Sequence, residues 1–278
     1  MPVAIVTGAS GGLGAEFARQ LAAEGFDLVL TARSEPVLRE LAEECERRFG
    51  VRCEVLPADL ARAEGRAVLA ERTGREDVSV LVNNAGFGSF GRFADSEPQT
   101  EAELVAVNVL ALHELTRAVL TGMTRRGRGR IINIASIAAF QPLPYMAGYG
   151  ASKAFVLEFS LAVAEELRGT GVSLTTVCPG PTRTGFFDRA DAQVFAIGGA
   201  ADPAEVVRAA LSAARRRRSL ATPGAGNRLA AFSPRLLPKT AIARMLGAVL
   251  PRVKPRQRPE AAGIVPAAAA SERGRVSE

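Results

Sequence analysis

Tyr149 and Lys153 stand four residues apart in the stretch "QPLPYMAGYGASKAFVLEF", and Ser136 precedes the tyrosine by thirteen positions. On a helix, side chains four apart share a face, so the phenol and the ammonium can approach each other. A free tyrosine titrates near pH 10, and a neighbouring cation favours the phenolate and lowers that value. The pair therefore has the chemistry of a proton donor and acceptor working at neutral pH. The other tyrosine, Tyr145, has Tyr149 at its own i+4 position rather than a cation, and the expectation for it is at most a pocket wall.

A tyrosine and lysine at this spacing occur by chance in many helices, so the weight lies in what surrounds them. The stretch "TGASGGLG" places Gly8, Gly12 and Gly14 between the apolar run "VAIV" and the helical pattern "AEFARQLAAEG". A glycine turn that joins a strand to a helix lets backbone N–H groups and a helix N-terminus approach a pyrophosphate. The next apolar run, "FDLVLTAR", ends in Thr31, Ala32 and Arg33, where an NAD site normally offers Asp or Glu to the ribose 2′-hydroxyl. Arg33 instead suits the 2′-phosphate of NADP, since a guanidinium fork matches phosphate geometry. The competing reading of Arg33 is a surface arginine opening the next helix.

These groups need elements to position them. Apolar runs alternate with helical patterns: a helix near Glu35 to Phe49, the strand "RCEVLPADL", a helix near Glu64 to Thr73 and the strand "VSVLVNNAG". A helix around Thr100 to Arg125, the strand "GRIINIAS", a helix starting near Tyr149 and the strand "SLTTVCPG" follow. Such alternation predicts an α/β fold, a doubly wound, Rossmann-like parallel sheet with helices on both faces. The expected organisation is a dinucleotide-binding and catalytic domain over 1–226 and a C-terminal helical extension over 227–252, broken by Pro234 and Pro238. Residues 253–278, rich in Pro, Ala and charge, have the composition of a disordered tail.

With "NNAG" at Asn83 to Gly86, "VNVLAL" around Asn108 and "PGPTRT" from Pro179 to Thr184, the chain resembles the short-chain dehydrogenase/reductase family. The motifs run in order from Val3 to about Phe187. The resemblance implies an oxidoreductase that moves a hydride between NADP(H) and a carbonyl or alcohol. It makes Tyr149 the proton donor, Lys153 its partner and a ribose ligand, Ser136 the group orienting the carbonyl, and Asn108 the support of a water relay to Lys153. It assigns Gly8, Ser10, Gly12, Leu13 and Gly14 to the phosphates, Asp59 to the adenine amino group, and Asn84, Ala85 and Gly86 to the adenosine side. Pro179, Gly180, Thr182 and Thr184 border the nicotinamide, and Ala32 followed by Arg33 matches the NADP-preferring pattern. Family members of this type are homodimers or homotetramers.

The region between Thr184 and Pro203 covers the substrate in this family, and here it carries Phe186, Phe187, Val194, Phe195 and Ile197. With Leu143, Pro144 and Met146 it implies an apolar substrate body, such as a lipid-like, steroid-like or polyketide-like ketone. Phe87, Phe90 and Phe93 either line the pocket mouth or anchor a loop.

Composition narrows the remaining classes. The formal charge is +6, yet the arginine clusters at Arg125 to Arg130 and Arg215 to Arg218 lack interleaved aromatics and read as solvated helix ends, not as a nucleic-acid surface. One histidine, His113, rules out a histidine-based triad or metal cluster, and Cys45, Cys53 and Cys178 form no CxxC, so no metal site is expected. Strand-like residues from Val3 and the absence of a long apolar run argue for a cytoplasmic protein without a transmembrane segment. The extension has three open roles: capping the pocket, packing on a neighbouring subunit, or peripheral contact with anionic lipid through Arg228, Arg235, Lys239 and Arg244. The other functional class is a non-catalytic NADP-binding regulator or scaffold, against which the intact Ser136, Tyr149 and Lys153 argue.

Overall fold

Seven strands lie side by side in the order β3-β2-β1-β4-β5-β6-β7, and each neighbouring pair is parallel. They are β1 (Val3–Thr7), β2 (Asp27–Thr31), β3 (Cys53–Val55), β4 (Val78–Asn83), β5 (Gly129–Ile134), β6 (Val172–Val177) and β7 (Leu220–Ala221). The structure is a computed structural model, and it describes residues 1–75, 78–186 and 199–250.

Parallel neighbours require crossovers, and helices provide them. Successive side chains of a strand point to opposite faces, so each central strand feeds two cores. Ala4, Val6, Leu28, Leu30, Val80, Val82, Ile132 and Ile134 face α1 (Gly12–Ala23), α2 (Glu35–Phe49) and α7 (Pro203–Arg215). Val3, Ile5, Val29, Leu81 and Ile131 face α3 (Ala63–Thr73), α5 (Leu112–Arg126) and α6 (Ala147–Glu166). This double covering is why β1 and β2 are buried along their whole length and read as continuous apolar runs.

The strand order turns back between β1 and β4, and the loops that leave the two strands diverge there to open a crevice. Before α5 the chain forms α4 (Pro98–Val105) and a π-helical segment over Ala106–Ala111. The rod from Pro98 to Arg126 is long and apolar enough by composition to cross a membrane, but Leu104, Asn108, Leu115 and Met123 on it are buried inside the protein.

Two boundaries differ from the sequence reading. The strand expected over "RCEVLPADL" is paired only over Cys53–Val55, because β3 is an edge strand. Beyond it the chain clings to β2 by single bonds, Leu56 N–H to Leu30 O at 3.0 Å and Ala58 N–H to Ala32 O at 3.1 Å. The boundary at 226/227 falls inside α8 (Ala225–Phe232), which is followed by a 3₁₀ turn over Ser233–Leu236 and by α9 (Lys239–Val249). In addition, the free thiols of Cys45 on α2 and Cys53 on β3 lie close enough to influence each other's ionisation, a proximity that their sequence spacing did not announce.

Candidate active site

The carboxyl ends of β1, β2, β4, β5 and β6 open into one cleft of about 650 Å³. At its floor the turn after β1 carries Gly8, in the left-handed region at φ +66°, while Gly14 sits one helical turn into α1. A Cβ on Gly14 would lie 2.1 Å from the Gly8 carbonyl oxygen. Having no side chain, Gly14 lets the helix pack against its own turn; it is not among the residues that line the cleft. Gly8, Ser10, Gly12 and Leu13 do line it. No side chain caps the N-terminus of α1, and its first turn has no acidic residue, so its N–H groups are free to meet an anion.

Asn84 ties this turn to β4. Its Nδ2 donates to the Thr7 and Gly8 carbonyl oxygens at 2.9 and 3.3 Å, while its own N–H and that of Ala85 donate to Thr7 Oγ1 at 2.9 Å each. Asn84, Ala85 and Gly86 thus form one wall. Further out, Arg33 and Ser34 follow β2, and Ala58, Asp59 and Leu60 follow β3. Arg33 is exposed and among the described residues meets no carboxylate. Pro179, Gly180, Thr182 and Thr184 close the opposite side, with the Thr184 methyl 3.1 Å from where a Cβ on Gly12 would be. A glycine cradle, an uncapped helix start and an exposed guanidinium form a donor set that fits a dinucleotide carrying an extra phosphate.

At the inner end, Ser136 ends β5 and caps the 3₁₀ turn Ile137–Phe140, its Oγ accepting from Ala138 N–H at 3.1 Å. Its hydroxyl is near enough to the Tyr149 phenol to favour the phenolate. Lys153, one turn along α6, is buried, and its Nζ donates to the Ile134 carbonyl oxygen at 2.9 Å. The three groups expected from sequence are therefore together in the cleft.

Their electrostatics differ from the expectation that Lys153 depresses the Tyr149 phenol. Burial pushes Tyr149 up to about 12, with the Ser136 hydroxyl pulling it down in part. Burial also pulls Lys153 down to about 8. Desolvation disfavours both charged forms, and it is the largest effect on each. A phenol that keeps its proton at neutral pH is suited to donate it.

Asn108 does not line the cleft either. It is buried in the π-helical segment, where Oδ1 accepts from Phe87 N–H at 3.0 Å and Nδ2 donates to Phe87 O at 2.9 Å and Ser152 Oγ at 3.0 Å. Ser152 Oγ in turn donates to the Tyr149 carbonyl oxygen at 2.7 Å. Asn108 thus couples the loop after β4 to the helix that carries Tyr149. A Cβ on Gly86 would lie 3.0 Å from Asn108 Oδ1 and 3.3 Å from Lys153 Nζ, so this glycine lets the loop lie across both.

The mouth is apolar. Leu143, Met146 and Tyr149 pack with Phe87, Phe90, Phe186 and Leu246, the last contributed by α9. The Phe186 and Tyr149 rings are 5.3 Å apart. Phe87 lines the cleft, Phe90 packs on Tyr145 at 6.2 Å, and Phe93 is exposed. Pro144 packs on Gly247 of α9. Phe187, Val194, Phe195 and Ile197 lie outside the described residues. Tyr145, at φ +65°, borders a neighbouring cavity of about 340 Å³, and its carbonyl accepts from Gly91 N–H at 2.8 Å. The role of Leu246 was not legible, because it lies about a hundred residues beyond Tyr149 on an element whose docking only the fold determines.

Two groups stand aside from this chemistry. Burial pushes the Cys178 thiol up to about 12, which keeps it an unreactive packing residue. His113 is exposed on α5 against Phe159, their rings 5.3 Å apart.

Comparison with known proteins agrees with the geometry. The sequence pattern of the family described as short chain dehydrogenase matches residues 2–194. A very-long-chain 3-oxoacyl-CoA reductase of Laccaria bicolor is 39% identical over 175 residues, which cover 62% of this chain and 52% of that protein. The chain thus spans about half the length of that curated relative. A short-chain dehydrogenase from Sphingobium yanoikuyae, solved in complex with NADPH, superposes with a TM-score of 0.78 at 32% identity, over 94% of this chain and 99% of that one. A bulky-bulky ketone specific alcohol dehydrogenase from Comamonas testosteroni gives 0.74 at 29% identity, over 94% and 98%. By sequence pattern, by sheet order and by the assembled serine, tyrosine and lysine, this chain belongs to the short-chain dehydrogenase/reductase family of nicotinamide-dependent oxidoreductases.

Proposed function

We propose that the protein reduces a ketone on an apolar substrate to a secondary alcohol, with NADPH as its cofactor. The observation that carries this reading is that Ser136, Tyr149 and Lys153 line the same cleft as the glycine turn. When bound, NADPH supplies the hydride. The chain's own residues do the rest. Ser136 donates a hydrogen bond to the carbonyl oxygen, a bond that strengthens as negative charge develops there. Tyr149 gives its proton to that oxygen, completing the alcohol. Lys153, cationic below about pH 8, stabilises the phenolate left behind, which then takes a proton back from solvent.

Arg33 supports NADPH over NADH, because a guanidinium at the end of β2 favours a 2′-phosphate where a carboxylate would repel it. Leu143, Met146, Phe186 and Leu246 support an apolar substrate body, and the Comamonas testosteroni neighbour, specific for bulky-bulky ketones, points the same way. The three thiols, none in a disulfide, fit a reducing compartment such as the cytoplasm.

The test is the loss of NADPH absorbance against ketones, 3-oxoacyl thioesters and small hydroxy-carbonyl sugars, run beside NADH. Turnover of apolar ketones with NADPH is the expected result. Turnover confined to sugars, or a preference for NADH, overturns the substrate or the cofactor part respectively.

A further inference from the structure

The last two helices are only partly covered by the rest of the protein. Ala231, Pro234, Ile242 and Leu250 are buried, and Leu246 reaches the cleft. Along the same segment Leu229, Phe232, Leu236, Leu237, Met245 and Val249 are between 48% and 69% exposed. Six large apolar side chains within twenty-one residues make a contiguous stretch of chain that water solvates poorly.

Charge says what covers it. Arg228, Arg235, Lys239 and Arg244 are exposed on the same segment, and the Arg235 guanidinium lies 6.0 Å over the Phe232 ring. From Val206 to Pro259 the sequence has no Asp or Glu. The stretch that follows α9, "PRVKPRQRP", adds Arg252, Lys254, Arg256 and Arg258. A second copy of this chain fits such a surface poorly, because a two-fold contact apposes the same patch and sets cation against cation with no carboxylate to pair. An anionic bilayer fits both properties. Apolar side chains enter the acyl boundary while lysine and arginine stay at the phosphate level.

We propose that α8, the turn after it and α9 form a docking face for an anionic membrane surface, with Leu229, Phe232, Leu236 and Met245 inserted and Arg228, Arg235, Lys239 and Arg244 on the headgroups. This inference is independent of the reaction proposed above. Its geometric consequence is that α9 touches lipid through Met245 and the cleft through Leu246.

The experiment is co-sedimentation of the full chain with vesicles of phosphatidylcholine alone and of equimolar phosphatidylcholine and phosphatidylglycerol. Sedimentation is expected with the mixed vesicles alone, and it should weaken in molar salt, where the Debye length shrinks to about 3 Å. The double variant Arg235→Glu with Lys239→Glu is expected to bind mixed vesicles at least about tenfold more weakly. The double variant Leu229→Ser with Phe232→Ser should lose binding to a similar degree. Both should keep the wild-type melting temperature, since all four side chains are exposed. Failure to sediment, equal binding to neutral vesicles, or binding that neither double variant changes overturns the proposal. So does a wild type that ignores vesicles while the Leu229→Ser, Phe232→Ser chain elutes as a smaller assembly, which would assign the face to a second copy.

Discussion

The Lys153 ammonium donates to the Ile134 carbonyl oxygen at 2.9 Å, so the end of β5 holds the charge that backs Tyr149. Burial brings this lysine down from 10.5 to about 8, within reach of ordinary assay conditions. If its cationic form supports proton donation, the rate of ketone reduction falls as pH rises through about 8, with one deprotonation on kcat/KM. Stability changes in the opposite sense. Between 8 and 10.5 the unfolded chain holds the proton that the folded chain has lost, so this lysine's contribution to unfolding free energy rises with pH there. A pH–rate profile beside urea melts of wild type and Lys153→Met separates the two effects.

Tyr149→Phe removes the hydroxyl proposed to protonate the product oxygen while leaving the ring packed on Phe186. Turnover should fall by roughly a hundredfold to ten-thousandfold, the usual contribution of a general acid. NADPH binding, followed by cofactor fluorescence, should stay near the wild-type value. Substantial turnover in this variant would show that another group delivers the proton.

Asn108→Ala leaves the Phe87 N–H and carbonyl without their side-chain partner in the protein interior. Each unpaired buried group costs about 1–3 kcal/mol, so the melting temperature should drop by several degrees. Activity should fall with it, because the loop after β4 loses its tie to α6. A fall in activity with no thermal change would instead give Asn108 a direct part in the chemistry.

Arg33→Asp places a carboxylate at the end of β2, in the wall of the cleft. A charge-assisted hydrogen bond is worth about 1.5–3 kcal/mol, so KM for NADPH should rise by at least about tenfold. KM for NADH should fall, as a ribose hydroxyl can now be bonded. Unchanged KM values for both cofactors would return Arg33 to an ordinary surface role.

Leu246 is the point at which α9 enters the apolar mouth. Leu246→Ala should widen the cleft and favour bulkier ketones, and Leu246→Trp should exclude them. The ratio of kcat/KM between a small and a bulky ketone should move by about tenfold or more in opposite directions for the two variants. Identical ratios would mean that the substrate body does not reach α9.

The sheet was legible because both its faces are covered, so strands such as "VAIV" and "DLVL" are apolar without interruption and cannot be mistaken for exposed segments. Ser136, Tyr149 and Lys153 were legible because strand end and helix turn put them at fixed spacing. What was not legible depends on contacts made across the fold. The close approach of Gly14 to the Gly8 carbonyl and the bonds of Asn108 to the Phe87 backbone are of this kind, since packing sets those partners. The balance of charge on Tyr149 and Lys153 also escaped, because spacing reports proximity while the degree of desolvation reports on everything around the pair.

The strand order carries a consequence for how the protein is made. The chain lays down β1, β2 and β3 on one side, then places β4 against the free edge of β1 and adds β5, β6 and β7 outward in order. A ribosome releasing residues from the N-terminus can therefore complete the sheet without inserting any strand between two already paired. The glycine turn after β1 and the β4 wall emerge before Ser136, Tyr149 and Lys153, so the phosphate cradle can be in place when the proton-transfer groups arrive. The docking of α9 over the mouth comes after all of these.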